Sequence, residues 1–203
     1  MFAQVIEFPV SDAAAFAEAM RRWTTDIGPT AEGYLGGFSG VDEDGNGMVV
    51  VEYDTAEHAY QQAARPEQQR WLTENAALNT GTMTIKDSVD ILDQAPGDVQ
   101  ATTFIQIFQG QSRDVDKGKA ALSRHDDQWA QHRPDMVRSL LIMHADAEFT
   151  LIGYSTDGAL AQAKLMDPGP PDVAADIAEL QSLDARPSKL INIHNPVVDV
   201  AGR

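Results

Sequence analysis

The sequence predicts an α+β protein assembled from two copies of one β-α-β-β-α-β unit, and three observations predict it. The first is an internal repeat with a period near 101 residues, divergent but ordered. Val51-Glu52-Tyr53-Asp54-Thr55 meets Ile152-Gly153-Tyr154-Ser155-Thr156 at an offset of 101, and Ala59-Tyr60-Gln61-Gln62-Ala63 meets Ala159-Leu160-Ala161-Gln162-Ala163 at 100. The second is the length of 203 residues, which allows one large domain or two of about 100 residues each and so leaves room for two copies. The third is the alternation, within each copy, of β-rich runs with segments of helical period.

In the first copy, residues 2–10 are a β-rich run ended by Pro9, and Ser11-Asp12 supplies side-chain oxygens for the free N–H groups of a helix start. Phe16, Met20, Trp23 and Ile27 then recur at spacings of four, three and four, one apolar stripe of a helix that Gly28-Pro29 stops. Residues 33–41 and 48–53 read as two strands of a hairpin around the polar, glycine-bearing segment 42–47. A second helix is expected over 56–78, interrupted at Pro66, and a closing strand over 82–92. The second copy repeats the scheme with strand 103–109, helix 114–132, strands 137–144 and 149–154, a helix from 157, and strand 190–195. Asp167-Pro168-Gly169-Pro170-Pro171 cannot continue a helix, so two shorter helices around a loop are expected there. Residues 94–98 are the candidate linker, which sets the repeats at 1–95 and 99–203.

This order is the ferredoxin-like split motif, in which both helices cover one face of an antiparallel sheet. The other face is left apolar, so the two units are expected to pack sheet to sheet as a pseudo-dimer within one chain. Whether two such chains then pair is left open.

Composition narrows the function. Fifteen Lys+Arg against 31 Asp+Glu give a formal charge of −16, which argues against nucleic acid and anionic membranes as partners. The absence of Cys removes disulfides, thiolate nucleophiles and cysteine-held metals. No apolar run is long enough to span a bilayer, and the start at Met1 has no charged leader, so a cytoplasmic location is expected. Asp42-x-Asp44-x-Asn46-Gly47 matches half of a calcium loop, but its twelfth position is Tyr53, which cannot supply the bidentate carboxylate. His125 and His132, seven residues apart on a helix, are too far apart for one ion. No metal is expected.

Phe8-Pro9-Val10 at the end of the first strand, Trp23 late in the first helix, Gly33-Tyr34-Leu35 opening the second strand, and Val49-Val50-Val51-Glu52-Tyr53 followed by Glu57-His58-Ala59-Tyr60 are in order and spacing similar to the dimeric α/β-barrel superfamily. Within it they resemble the antibiotic biosynthesis monooxygenase group. The resemblance implies a tandem version of that barrel, a pocket between sheet and helices, and oxidation of a small hydrophobic or aromatic molecule, of quinol or anthrone type, by O2 with no cofactor. It implies Tyr60 as the hydrogen-bond donor in the pocket, with Trp23 and Tyr34 as aromatic walls. Tyr53, across the junction of the third strand and the second helix from Tyr60, is the second catalytic candidate if both phenols point inward; otherwise both are rim residues with buried rings and wet hydroxyls. The Asn and Trp that family members carry on the third strand are replaced here by residues among Val50, Val51, Glu52, Tyr53 and Asp54. A non-catalytic small-molecule binder of the same fold, haem included, is therefore the alternative. Strand alternation sets Asn192 and His194 on one face, where they would bind a ligand in a second pocket or stand in solvent. His194 or His144 would serve haem.

Overall fold

The computed structural model describes residues 1–94 and 97–201. Ala95 and Pro96, the middle of the expected linker, and Gly202 and Arg203 lie outside the described residues. In chain order the elements are β1 (Phe2–Pro9), α1 (Ala13–Asp26), β2 (Tyr34–Val41), β3 (Asn46–Tyr53), α2 (Ala56–Ala64), α3 (Pro66–Glu74) and β4 (Thr84–Ser88). They continue as β5 (Ile91–Gln94), β6 (Phe104–Gln111), α4 (Val115–Ser123), α5 (Asp126–His132), β7 (Met136–Met143), β8 (Glu148–Ser155), α6 (Gly158–Lys164), α7 (Pro171–Leu183), β9 (Lys189–His194) and β10 (Val197–Val200). The chain is α+β, a tandem ferredoxin-like repeat with two antiparallel five-stranded sheets, ordered β10-β2-β3-β1-β4 and β5-β7-β8-β6-β9.

Two compact units result, one from Met1–Ile91 with the segment from Ile193 on, the other from Leu92–Asn192. Each closing run of β-forming residues is split in two. The run expected over 82–92 breaks where the Ser88 hydroxyl accepts from the Asp90 N–H, 3.0 Å, and β5 beyond it belongs to the second sheet. The run after Leu190 breaks at Asn195, whose φ of 49° is left-handed, and at Pro196; β10 beyond belongs to the first sheet.

In the first unit, α1 starts on Asp12, whose carboxylate accepts from the N–H groups of Ala14 and Ala15. Its buried residues are Phe16, Ala19, Met20 and Trp23, the stripe its spacing predicts. They meet the alternate residues of the sheet that face the helices: Phe2 and Ile6 of β1, Val49, Val51 and Tyr53 of β3, and Tyr34 of β2. On the opposite face Val5, Phe38, Met48 and Val50 are also buried. Pro66 divides the second helix as expected, taking the first position of α3 because its missing N–H is one that a helix start leaves free.

In the second unit the prolines at 168–171 divide the last helix into α6 and α7, as the sequence predicts. The helix expected over 114–132 is also divided, with no proline or glycine at the break. There the buried carboxylate of Asp176 on α7 takes Arg124 Nη1 at 3.0 Å and His125 Nδ1 at 2.6 Å. Two successive residues turned to one carboxylate cannot both follow the helical period, since neighbours on a helix point about 100° apart.

Strand register corrects the repeat alignment. Phe2 pairs with Tyr53, and Phe104 pairs with Ser155, so the equivalent positions are 102 apart and not 101. Tyr53 therefore corresponds to Ser155, while Tyr154 points to the other face, where it stacks under the Arg138 guanidinium. A slip of one residue turns every side chain over.

Candidate functional site

The first unit has a cavity between α1 and its sheet, lined by Met20, Trp23 and Thr24 of α1, Tyr34 and Ser39 of β2, Val49 and Val51 of β3, and Val197 and Asp199 of β10. Its free volume is about 10 Å³, the room of one water molecule. The aromatic end is held edge to face: Trp23 to Tyr34 at 5.2 Å between ring centres, and Tyr34 to Tyr53 at 5.5 Å. Trp23 Nε1 donates to Gln68 Oε1 at 2.7 Å, which fixes the indole.

Beside the hydroxyls of Thr24 and Tyr34, the lining holds a buried hydroxyl and a carboxylate. Ser39 is 2% exposed, and its hydroxyl makes no hydrogen bond with any described residue. Asp199 is the one carboxylate of the lining, delivered by the pairing of Asp199 with Gly37 and of Val197 with Ser39. Gly37 has no side chain because a Cβ there would collide with the Val50 carbonyl. Burial pushes the Tyr34 phenol far above the ordinary tyrosine range, and the negative charge of Asp199 adds to the effect. Burial likewise pushes the Tyr53 phenol up, to about 12, against a smaller opposing influence of Arg65. Both phenols stay protonated and serve as hydrogen-bond donors.

Of the residues singled out in the sequence, the structure brings Trp23, Tyr34 and Tyr53 into one buried cluster, with Trp23 and Tyr34 on the cavity wall. It does not bring Tyr60 to them. On α2 the buried residues are Ala59 and Gln62, and Tyr60, one step round the helix from Ala59, is 54% exposed. Its ring packs edge to face on Phe2 at 5.7 Å, and its hydroxyl donates to Asp87 Oδ2 at 2.7 Å. Asn192 and His194 lie on β9, an edge strand, where Ile191 and Ile193 are buried. His194 is exposed, 3.7 Å from Glu43, and Asn192 is partly buried with its Oδ1 lacking a partner. His144 Nε2 lies 3.0 Å from the Thr150 hydroxyl. Among the described residues no group of three or more His, Cys, Asp or Glu could hold a metal ion. Sequence reasoning missed Asp199 and Ser39. The only local signal was the Gly36-Gly37 pair beside Ser39, which marks a close backbone approach without naming the approaching strand.

No protein-family model and no curated protein matches the sequence. Solved structures do. A protein assigned as a monooxygenase from Lactobacillus acidophilus is 12% identical, with a TM-score of 0.77 over 99% of this chain and 96% of its own. An anthrone oxidase-like protein is 10% identical, with a TM-score of 0.72 over 100% and 94%. A haem-degrading enzyme from Listeria monocytogenes is 7% identical, with a TM-score of 0.50 over 96% and 99%. The fold is therefore the tandem ferredoxin-like one of these monooxygenase-like structures. At these identities the likeness concerns the fold alone. No helix among the described residues is long and apolar enough to cross a membrane.

Proposed function

We propose that the chain is a cofactor-independent monooxygenase-like protein that oxidises a small aromatic of quinol or anthrone type with O2 at the cavity under α1. The observation that carries this reading is that one carboxylate, Asp199, and one hydroxyl without a partner, Ser39, line the same cavity among mostly aromatic and aliphatic side chains. Asp199 takes the proton from the substrate's enol or phenol. The hydroxyls of Ser39 and Tyr34 donate to the oxyanion so formed. The electron-rich carbon then gives its electrons to O2. For an anthrone the balance is a CH2 carbon plus O2 giving a ketone plus water: two C–H bonds break, one oxygen atom enters the ketone, and the other leaves as water with the two protons. Tyr53 supports Tyr34 from behind, and in this reading Tyr60 steadies β1 and β4 from the surface through Asp87. A ring fits only when Trp23 swings out and gives up Gln68, since the free volume is about 10 Å³.

That tightness favours a second reading, a small-molecule binder without turnover. Oxygen uptake with a panel of anthrones and quinols separates the two. Consumption above the buffer rate that falls at least about tenfold in Asp199→Asn supports the enzyme, on the scale of losing a general base. Binding without consumption supports the binder.

A further inference from the structure

The loop 27–33, which joins α1 to β2, lies against the aromatic end of the first-unit cavity. Ala31 packs on the cluster of Trp23, Tyr34 and Tyr53. A Cβ at Gly28 would meet the Trp23 ring at 3.2 Å and Asp199 Oδ2 at 3.5 Å, so the chain passes close over both. Two side chains of α2 and its end tie this loop down. Arg65 donates through Nη1 to the Thr30 carbonyl at 2.7 Å and through Nη2 to the Thr30 hydroxyl at 3.1 Å. His58, in the first turn of α2, stands over Gly33, with Nδ1 2.6 Å from Asp54 Oδ1 and Nε2 3.7 Å from Glu32 Oε1. Beneath it the Asp54 N–H donates to the Gly33 carbonyl at 2.8 Å. Gly33 has a φ of 68°, and a Cβ there would collide with Asp54 and His58.

The second unit closes the same place with a group that does not titrate. Register makes Gly33 and Asp54 equivalent to Asp135 and Thr156, and the Thr156 N–H donates to the Asp135 carbonyl at 2.9 Å. There the Arg133 guanidinium grips the buried Asp135 carboxylate at 3.0 and 2.8 Å and reaches the Ser155 hydroxyl at 3.1 Å. Where α2 has His58 on its capping residue Thr55, α6 has Leu160 on its capping residue Asp157. A guanidinium keeps its charge, whereas an imidazole changes charge near neutral pH.

Both N–H groups of a charged imidazole donate, so His58 then holds Asp54 and Glu32 together. When it loses a proton, Nδ1–H stays on Asp54 and Nε2 becomes an acceptor facing another acceptor, which releases Glu32, two residues from Tyr34. The charged groups around the ring are all anionic: Asp54 at the end of β3, Glu32 ahead of β2, and Glu57 beside it on α2. The bond to Asp54 above all, with these charges, holds the imidazole above its ordinary value of 6.5, and partial burial opposes them. The hold is therefore complete below 6.5 and fades as pH rises through the raised value. The same bond holds the Asp54 carboxyl below the ordinary carboxylate range, so it stays ionised throughout.

We propose that His58 is a proton-operated latch on the first-unit cavity. Charged, it pins the loop across Gly33 and keeps Trp23 in place; neutral, it lets the loop part and the indole swing out to admit a ligand. The bearing on ligand entry rests on reading that cavity as the site, while the latch itself does not.

Hydrogen exchange followed by NMR on the full chain tests the latch without any substrate. The reporter is the Asp54 amide, whose protection factor measures how often Gly33 and Asp54 part, and the Thr156 amide is the control in the same molecule. From pH 6.5 to 9 the Asp54 protection factor falls about two- to fivefold in the wild type, the scale of one partly exposed ion pair, while that of Thr156 stays level. His58→Gln shows low protection at both pH values. His58→Arg, a cation that does not titrate, shows high protection at both, which excludes loss of fold as the cause. A level wild-type value, or a fall that persists in either variant, would overturn the proposal. Oxygen uptake then reads the consequence: kcat/KM for an anthrone rises over the same range in the wild type, and in His58→Gln it begins at the higher level. Uptake with the same pH profile in wild type and His58→Gln contradicts the gating of entry. Absence of uptake in every form counts against oxidation at this cavity, and the exchange result still decides the latch.

Discussion

Ser39, Tyr53 and Asp199 carry polar groups in and beside the cavity. A buried hydroxyl without a partner destabilises, so Ser39→Ala is expected to leave stability unchanged or raise it by about 1 kcal/mol while lowering ligand affinity, to be checked by thermal melts beside a binding titration. The raised phenol of Tyr53 has a definite pH signature. Its folded pKa of about 12 exceeds the ordinary value of 10.0, so its contribution is complete below pH 10 and is lost as pH rises through 12. That difference corresponds to about 2–3 kcal/mol, and burial of Tyr34 acts in the same direction. Melting temperature should therefore fall from pH 10 upward, less steeply in Tyr53→Phe. At this scale the burial of Trp23 was legible from its place in the apolar stripe of α1, while Tyr34 entered only through the family resemblance. Asp199 was not legible, since a carboxylate in the short run 197–200 reads as solvent-facing until its strand partner is known.

Among the elements, β2 carries the tightest requirement. A Cβ at Gly37 would strike the Val50 carbonyl, so Gly37→Ala should cost about 1–3 kcal/mol in melts, by forcing β2 from β3 beneath the cavity. The end of α5 is a second sensitive point. Burial holds the His132 imidazole below its ordinary value of 6.5, with Lys164 and Arg133 acting in the same sense and Asp167 opposing. The folded state therefore prefers the neutral ring, and its contribution, present above 6.5, is lost as pH falls through the lowered value. Acid melts of His132→Gln should lack that part of the slope. Helix periodicity and proline breaks were read correctly from Phe16, Met20, Trp23, Pro66 and the 168–171 segment, because those signals are local. The break between α4 and α5 was hidden, because a carboxylate on α7, 51 residues from His125, makes it.

At the scale of the whole chain, duplication explains both the likeness and the differences between the units. Equal order and register keep the scaffold, while exchange of Tyr53 for Ser155 and Val51 for Gly153 changes what lies under the helices. The repeat was visible in the sequence, but its offset was misplaced by one, since matching Tyr53 to Tyr154 ignores which face each occupies. Neither β5 nor β10 could be assigned to its sheet from short β-rich runs, and pairing across more than 150 residues is what brings Asp199 to Gly37. Ending the chain after Asn195 should lower the melting temperature and abolish oxygen uptake together, whereas Asp199→Asn should abolish uptake alone.

Turnover of an anthrone under isotopically heavy O2, with mass spectrometry of the product, tests the central claim most directly. A ketone that carries one heavy oxygen, formed by the wild type and not by Asp199→Asn, is the predicted result. A ketone without the label, or product formed equally well by Asp199→Asn, would contradict it.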